Sequence, residues 1–119
     1  MSKKILIVDD EQAVLQSLDV LLTTEGYEVV AFRNGCQATE IIKNEPFDLL
    51  ITDIRMTPVN GIELIRLARQ RTPPVPCIVI SAYNSDEAVQ ECYNSGCRSF
   101  FPKPFNVNKV VAAVQQILS

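Results

Sequence analysis

The chain alternates short apolar segments with longer amphipathic segments, and it does so five times. The apolar segments span residues 5–8, 29–32, 49–52, 77–80 and 99–101. Four of them are nearly continuous aliphatic runs, the pattern of parallel strands that are covered on both faces. Five strand–helix pairs in 119 residues predict one open, doubly wound α/β sheet, because a closed barrel needs about eight such pairs.

The amphipathic segments predict five helices. The apolar residues of these helices are Val14, Leu15, Leu18, Leu21 and Leu22, then Ala38, Ile41 and Ile42, then Ile62, Ile65 and Ala68, then Ala88, Val89, Cys92 and Tyr93, and finally Val107, Val110, Val111, Val114, Ile117 and Leu118. Gly26 and Gly96 stand where the first and fourth helices would end in a left-handed conformation. The prolines at 73–74 would stop the third helix, and Asn84 with Glu87 predicts a capping box that opens the fourth.

The composition excludes several classes of protein. A net charge of −3 and a pI near 4.9 oppose direct binding to nucleic acid, which requires clustered basic residues. No apolar run approaches the roughly 20 residues that cross a bilayer, and the start of the chain lacks the apolar core of a signal peptide, so the expected compartment is the cytoplasm. The chain has no histidine, and its four cysteines lack the spacing of a zinc site, which indicates reduced thiols.

Residues that can perform chemistry follow four of the five predicted strands. Asp9 and Asp10 come directly after the first strand, Asp53 after the third, Ser81 after the fourth, and Lys103 two residues after the fifth. In a doubly wound sheet, ligands bind beyond the carboxyl ends of the strands. With the flavodoxin-like strand order 2-1-3-4-5, the three carboxylates converge between two central strands, and the serine and the lysine flank them.

Such a group of carboxylates must either raise the pKa of one of its members or hold a cation. Two carboxylates 4 Å apart repel each other by roughly 4 kcal/mol at an effective dielectric constant near 20. Ligands that offer only oxygen select a hard ion, Mg²⁺ or Mn²⁺. Lys103 and Ser81 can hold the oxygens of a phosphoryl group, which makes Asp53 a candidate carboxylate nucleophile. Each residue alone has a simpler explanation, a helix cap or a surface charge, and only the combination favours a site.

Five motifs then give the chain a family resemblance: ILIVDDE (5–11), LLITDIRM (49–56), NG (60–61), IVISA (78–82) and FFPKPF (100–105). In this order and at this spacing, the chain resembles the receiver domain of bacterial two-component response regulators. The resemblance covers residues 5–118 and implies one receiver domain over residues 1–119.

The resemblance implies roles for the acidic residues. Asp53 is implied to be the phosphoacceptor, which takes its group from a phosphohistidine on a sensor kinase or on a phosphotransfer protein. Asp9 and Asp10 are implied to hold Mg²⁺ together with Asp53, with the backbone carbonyl of Arg55 as a further ligand. The resemblance further implies that the domain assists only its own phosphorylation and dephosphorylation and does not turn over another substrate.

Three residues beyond the acidic group receive implied roles in switching. Ser81 is implied to shift and bind the new phosphoryl group, and Lys103 to pair with it. Phe100 occupies the position of the aromatic residue that swings inward as the serine moves. The Lys103–Pro104 peptide bond is expected to be cis.

Arg55 and Tyr83 occupy two positions that vary in this family and set the lifetime of the phosphoaspartate by controlling the access of water. A large cation and an aromatic ring at these positions predict slow hydrolysis.

The chain departs from the family pattern at two places. Proline usually follows the position of Met56 at once, whereas here Thr57 comes first and Pro58 follows. Pro102 removes a backbone donor just before Lys103, at the end of the last strand.

The fourth helix has fewer apolar anchors than the first and the fifth, which predicts low local stability. The resemblance accordingly implies that the surface of the fourth helix, the fifth strand and the fifth helix is the output face. An effector domain, a downstream protein or a second copy of the chain would bind there. The kinase, the pathway and the presence of further domains are left open.

Three other functions compete with this interpretation. A flavodoxin-type binder would place a nucleotide phosphate after the first strand, where Asp9, Asp10 and Glu11 would repel it. A phosphatase of the haloacid-dehalogenase type needs a second aspartate two residues after the first, where this chain has Arg55. A receiver that binds partners without phosphorylation would not need the complete set of acidic residues, serine and lysine.

Overall fold

The computed structural model describes residues 2–56 and 58–119. The strands are β1 (Lys4–Val8), β2 (Glu28–Phe32), β3 (Leu49–Thr52), β4 (Cys77–Ser81) and β5 (Ser99–Pro102). The helices are α1 (Gln12–Thr24), α2 (Gly35–Asn44), α3 (Gly61–Arg69), α4 (Asp86–Ser95) and α5 (Val107–Leu118). The departure at Thr57 lies outside the described residues.

The strands form one parallel sheet in the order β2-β1-β3-β4-β5, which confirms the predicted topology. Each face of the sheet carries its own core. Leu6 and Val8 of β1 contribute to the core with α2, α3 and α4, whereas Ile5 and Ile7 contribute to the core with α1 and α5. All four residues of β3 are buried. The apolar runs are continuous because both faces of the central strands are covered.

Four strands are one residue longer than the apolar pattern predicted, β1 and β2 at their start and β4 and β5 at their end. Ser81 is the last residue of β4 and pairs with Pro102, the last residue of β5. The backbone N–H of Lys103 donates to the carbonyl of Ser81 at 2.9 Å. The sheet ladder therefore continues past the proline that lacks a donor, and it brings Lys103 directly to the end of the sheet.

The ends of three helices test the predicted stop signals. Gly26 and Gly96 have φ angles of +95° and +112°, which confirms the left-handed endings of α1 and α4. Helix α3 ends at Arg69, before the prolines at 73–74. The expectation that these prolines terminate the helix was wrong, because the chain already turns where the N–H of Arg71 donates to the carbonyl of Ala68 at 3.3 Å.

Side chains cap the starts of four helices. The predicted capping box of Asn84 and Glu87 was wrong, because Ser85 is the N-cap of α4 and accepts from the N–H of Ala88 at 3.2 Å. Asparagines cap the other three helices, namely Asn34, Asn60 and Asn106. The first turn of α4 also carries Asp86, whose negative charge interacts favourably with the positive end of the helix dipole.

The cysteines are free thiols, and three of them, Cys77, Cys92 and Cys97, are buried in the core next to α4. Burial raises the pKa of Cys77 and of Cys97 to about 12 and that of Cys92 to about 11. These thiols therefore act as small apolar side chains. No helix within residues 2–56 and 58–119 is long and apolar enough to span a bilayer.

Candidate functional site

Carboxylates from two neighbouring strands meet at the carboxyl end of the sheet. Val8 and Thr52 are partners in the β1–β3 register, so the residues that follow them, Asp9 and Asp53, are neighbours. Carboxylate oxygens of Asp9, Asp10, Glu11 and Asp53 lie within 4.8 Å of one another. The predicted convergence of the three aspartates is present, and a fourth carboxylate that was not predicted joins them.

Two of these carboxylates are buried and two are exposed. Asp9 is 2% exposed and Asp53 is 7% exposed, whereas Asp10 and Glu11 lie at the surface. The N–H of Glu11 donates to Oδ1 of Asp9 at 2.8 Å, and the N–H of Ile54 donates to Oδ1 of Asp53 at 2.6 Å. These bonds orient both buried carboxylates, and within residues 2–56 and 58–119 no backbone N–H donates to the Oδ2 atom of either one.

Burial raises the pKa of Asp9 from its ordinary value near 3.8 to about 6. The nearby charge of Asp53 raises this pKa further, whereas the N–H of Glu11 and the ammonium group of Lys103 lower it. The shift therefore indicates that the lysine and the backbone do not fully compensate the burial of this carboxylate.

Lys103 is the cation at the centre of the acidic cluster. Its side chain is 10% exposed, and its Nζ lies 3.0 Å from Oδ2 of Asp9, 3.0 Å from Oδ2 of Asp53 and 2.7 Å from Oε1 of Glu11. Burial opposes the charged ammonium, but the hydrogen bonds to Glu11, Asp53 and Asp9 prevail and raise the pKa of Lys103 above its ordinary value. One lysine still leaves an excess of negative charge beside four carboxylates.

The donor set of this cluster fits Mg²⁺. All four acidic side chains offer oxygen, the chain contains no histidine, and hard divalent cations prefer oxygen ligands. The uncompensated charge around Asp9 and Asp53 supplies the electrostatic reason for a cation, and the exposed carboxylate of Asp10 leaves a route for it from solvent.

Ser81 lies beside the acidic cluster and is 1% exposed. Its Oγ accepts from the N–H of Tyr83 at 3.0 Å, which leaves the hydroxyl proton available to a ligand. A depression of about 340 Å³ adjoins these residues and is lined by Asp10, Glu11, Asp53, Arg55, Ser81, Ala82 and Tyr83. Its lining combines carboxylates, a hydroxyl group and a guanidinium, a mixture suited to a charged ligand.

Arg55 and Tyr83 are in direct contact, although they lie on different loops. The guanidinium carbon of Arg55 lies over the ring of Tyr83, 3.5 Å from its centroid, a cation–π contact. Both residues line the depression that contains Asp53 and Ser81. The stacked pair therefore joins the loop after β3 to the loop after β4 beside the cluster.

Gly61 allows α3 to begin directly against the backbone of Asp53. Its N–H donates to the carbonyl of Ile54 at 2.8 Å. A Cβ atom at this position would lie 1.9 Å from the carbonyl oxygen of Asp53. The close approach explains why glycine stands there, and the NG motif at 60–61 was the only sequence signal for it.

The remaining predicted residues lie on β5 and just beyond it. Phe100 is half-buried, pairs with Val79 in the sheet register and packs against the core next to α4. The Lys103–Pro104 peptide bond is cis, as expected, and the Thr72–Pro73 bond, for which no expectation was made, is also cis.

The family described as "Response regulator receiver domain" matches residues 5–115. The chain belongs to this family. Sporulation initiation phosphotransferase F of Bacillus subtilis (strain 168) is 31% identical over 118 residues, which are 99% of this chain and 95% of that protein. DNA-binding transcriptional regulator NtrC of Escherichia coli (strain K12) is 31% identical over 113 residues, which are 95% of this chain and 24% of that protein. The receiver domain thus spans about a quarter of the length of this larger relative.

Solved structures agree with this assignment. A CheY-like response regulator receiver domain protein from Methanospirillum hungatei JF-1 superposes with a TM-score of 0.90 at 32% identity, over 98% of this chain and 93% of that chain. Chemotaxis response regulator CheY4 of Vibrio cholerae superposes with a TM-score of 0.87 at 27% identity, over 98% of this chain and 99% of that chain. The chain therefore has the receiver fold over nearly its whole length.

Proposed function

We propose that this receiver domain accepts a phosphoryl group on Asp53 from a phosphohistidine of a sensor kinase or a phosphotransfer protein. An oxygen of the carboxylate forms the new bond to phosphorus, and the phosphorus–nitrogen bond breaks with its electron pair moving to the imidazole nitrogen. One observation carries the proposal. Asp53 is a buried carboxylate held between the N–H of Ile54 and the ammonium group of Lys103, inside an acidic cluster.

The acidic cluster supplies the metal site of this proposal. Asp9, Asp10 and Asp53 would hold Mg²⁺, with the backbone carbonyl of Arg55 as a further ligand, and Mn²⁺ suits the same oxygen donors. The ion, when bound, neutralises charge on the phosphoryl oxygens during transfer. Asp9 bears most directly on this assignment, because burial raises its pKa to about 6 despite the nearby ammonium group of Lys103, and a bound cation would offset this cost.

Ser81, Lys103 and Phe100 form the proposed switch. After transfer, the ammonium group of Lys103 pairs with the phosphoryl oxygens and the hydroxyl of Ser81 donates to them. Phe100 is half-buried against the core next to α4, so it can move inward as the serine moves.

The proposed output face consists of α4, β5 and α5, and it would bind an effector domain, a downstream protein or a second copy of the chain. Of the four predicted apolar anchors of α4, only Ala88 and Cys92 are buried, and Tyr93 is 46% exposed. A helix with so few buried anchors can shift at low cost. Residues 1–119 would act as one such domain in the cytoplasm, and the domain would not turn over any other substrate.

Treatment with acetyl phosphate and Mg²⁺ tests the phosphoacceptor. Intact-mass measurement is expected to show a phosphate-sized gain in the wild type and none in Asp53→Asn. The control Asp19→Asn, which changes an exposed residue of α1 whose side chain accepts a hydrogen bond from Thr23, is expected to gain the same mass as the wild type. Chelation of the metal is expected to abolish the gain. A mass gain that survives in Asp53→Asn, or its absence in the wild type, contradicts the proposal.

The stacked pair of Arg55 and Tyr83 is proposed to slow the hydrolysis of the phosphoaspartate by limiting the access of water. We expect the double variant Arg55→Ala/Tyr83→Ala to lose its phosphoryl group several times faster than the wild type. Arg66→Ala, which removes an exposed arginine of α3, serves as the control. Decay is followed by intact mass after removal of acetyl phosphate. A wild type that decays as fast as the double variant, or faster, would refute the role.

A further inference from the structure

Glu11 is the N-cap residue of α1, but its side chain does not cap the helix. The cap lacks a side-chain hydrogen bond to the first turn, and glutamate is a poor N-cap compared with serine or aspartate. The Oε1 atom instead lies 2.7 Å from Nζ of Lys103, the shortest of the three contacts that this ammonium group makes. Its backbone N–H is bound to Asp9, which holds the residue beside the lysine.

The ammonium group of Lys103 has three hydrogens, and three carboxylates accept them. The acceptors are those of Asp9, Glu11 and Asp53. A phosphoryl group can gain a bond from this lysine only when one of these contacts is given up. Asp53 is the proposed acceptor and Asp9 is a proposed metal ligand, so both change partners when the site takes up Mg²⁺ and a phosphoryl group. Glu11 has no such role, and its side chain, 58% exposed, can turn into water.

We infer that Glu11 is a positioning residue that holds Lys103 in the resting state and competes with an incoming phosphoryl group for it. The inference rests on the proposed function of Asp53. The contact between the two opposite charges stabilises the unphosphorylated site, and a phosphoryl group that draws the ammonium group away from Glu11 forfeits this stabilisation. Glu11 thereby weakens the binding of phosphoryl groups.

Two other roles for Glu11 predict different behaviour. As a direct metal ligand it would be needed for Mg²⁺ binding, since its carboxylate belongs to the acidic cluster. As a source of long-range repulsion it would act on every anion through solvent, and salt would screen the effect. The competition for Lys103 instead requires the lysine and depends little on salt, because the contact is direct and Lys103 is nearly buried.

The binding of beryllium fluoride, a non-covalent mimic of the phosphoryl group, tests the inference in the full chain with Mg²⁺. We expect Glu11→Gln to bind it about threefold to fivefold more tightly than the wild type, whereas its affinity for Mg²⁺ alone changes by less than about threefold. Glu63→Gln is the matched control, because Glu63 is an exposed acid in the first turn of α3, a helix that begins at the same edge of the sheet. It is expected to bind like the wild type.

Two further arms separate competition from the alternatives. When Lys103 is replaced by methionine, adding Glu11→Gln is expected to leave the affinity for beryllium fluoride unchanged. When Lys103 is present, the higher affinity of Glu11→Gln is expected to persist in about 0.5 M NaCl. Where the lysine variant binds too weakly to measure, the salt arm decides. The inference is overturned if Glu11→Gln raises the affinity for beryllium fluoride even without the lysine, or if the higher affinity vanishes in salt. It is also overturned if Glu11→Gln lowers the affinity for Mg²⁺ about tenfold.

The same measurements distinguish failure of this inference from failure of the proposed function. If the wild type binds beryllium fluoride and Asp53→Asn does not, but Glu11→Gln binds it no more tightly than the wild type, only the role of Glu11 is overturned. A wild type without Asp53-dependent binding overturns both.

Discussion

Gly61→Ala is expected to lower the free energy of unfolding by about 3 kcal/mol or more and to impair phosphorylation of Asp53. The added Cβ would lie 1.9 Å from the carbonyl oxygen of Asp53, 2.8 Å from its carbonyl carbon and 2.9 Å from Cα of Ile54. All three are backbone atoms, so no flexible side chain can move aside. The start of α3 must shift away from β3, and this shift displaces the backbone that holds the acceptor.

Urea unfolding of the purified variants measures this effect, and Gly26→Ala is the matched control. Gly26 has a φ of +95° and nothing within 4 Å of an added Cβ, so its replacement imposes only the left-handed strain, about 1–2 kcal/mol. The mass gain with acetyl phosphate is then compared under conditions in which both variants are folded. If Gly61→Ala proves no less stable than Gly26→Ala and is phosphorylated like the wild type, the close approach of α3 does not matter.

The fold could be predicted because burial on both faces of the sheet leaves a strong pattern. Every residue of β3 is buried, so this strand reads as an uninterrupted apolar run. The ends of the strands were harder to predict from the sequence. The last ladder bond, from the N–H of Lys103 to the carbonyl of Ser81, involves backbone atoms only and leaves no trace in the side-chain pattern. The choice of Ser85 over Asn84 as a cap likewise depends on backbone angles, because both residue types cap helices well.

The site could be predicted only as far as strand ends determine it. Asp9 and Asp53 follow neighbouring strands, so parallel topology brings them together. Glu11 was missed because its part in the cluster depends on the direction of the Lys103 side chain, which comes from the far end of the chain. The third acid in the run DDE was the available signal. The stacking of Arg55 on Tyr83 depends on two loop conformations, and neither follows from hydrophobic periodicity.

Asp9→Asn is expected to raise the free energy of unfolding at pH 7.5, in the absence of metal, by about 1–3 kcal/mol. Because the pKa of Asp9 rises from near 3.8 to about 6 on folding, the folded state binds this proton more readily than the unfolded state. The group therefore contributes stability below about pH 4, and that contribution is lost as the pH rises through about 6. An asparagine avoids the cost of a buried charge at neutral pH, although it gives up one ion pair with Lys103.

Urea unfolding of both proteins at pH 7.5 and at about pH 4 measures this difference, with Asp19→Asn as a control on exposed helix surface. The advantage of Asp9→Asn is expected to shrink at the lower pH, where the wild-type carboxyl group is protonated in the folded state and about half protonated in the unfolded state. If the gain in the free energy of unfolding from Asp9→Asn is equal or larger at about pH 4, the burial of a charged Asp9 is not its cause.

Added Mg²⁺ is expected to stabilise the wild type more than the variant, since a ligand stabilises the state that binds it. The residue that weakens the metal-free fold would then be one that the metal needs, which explains why a buried aspartate remains where an asparagine would be more stable.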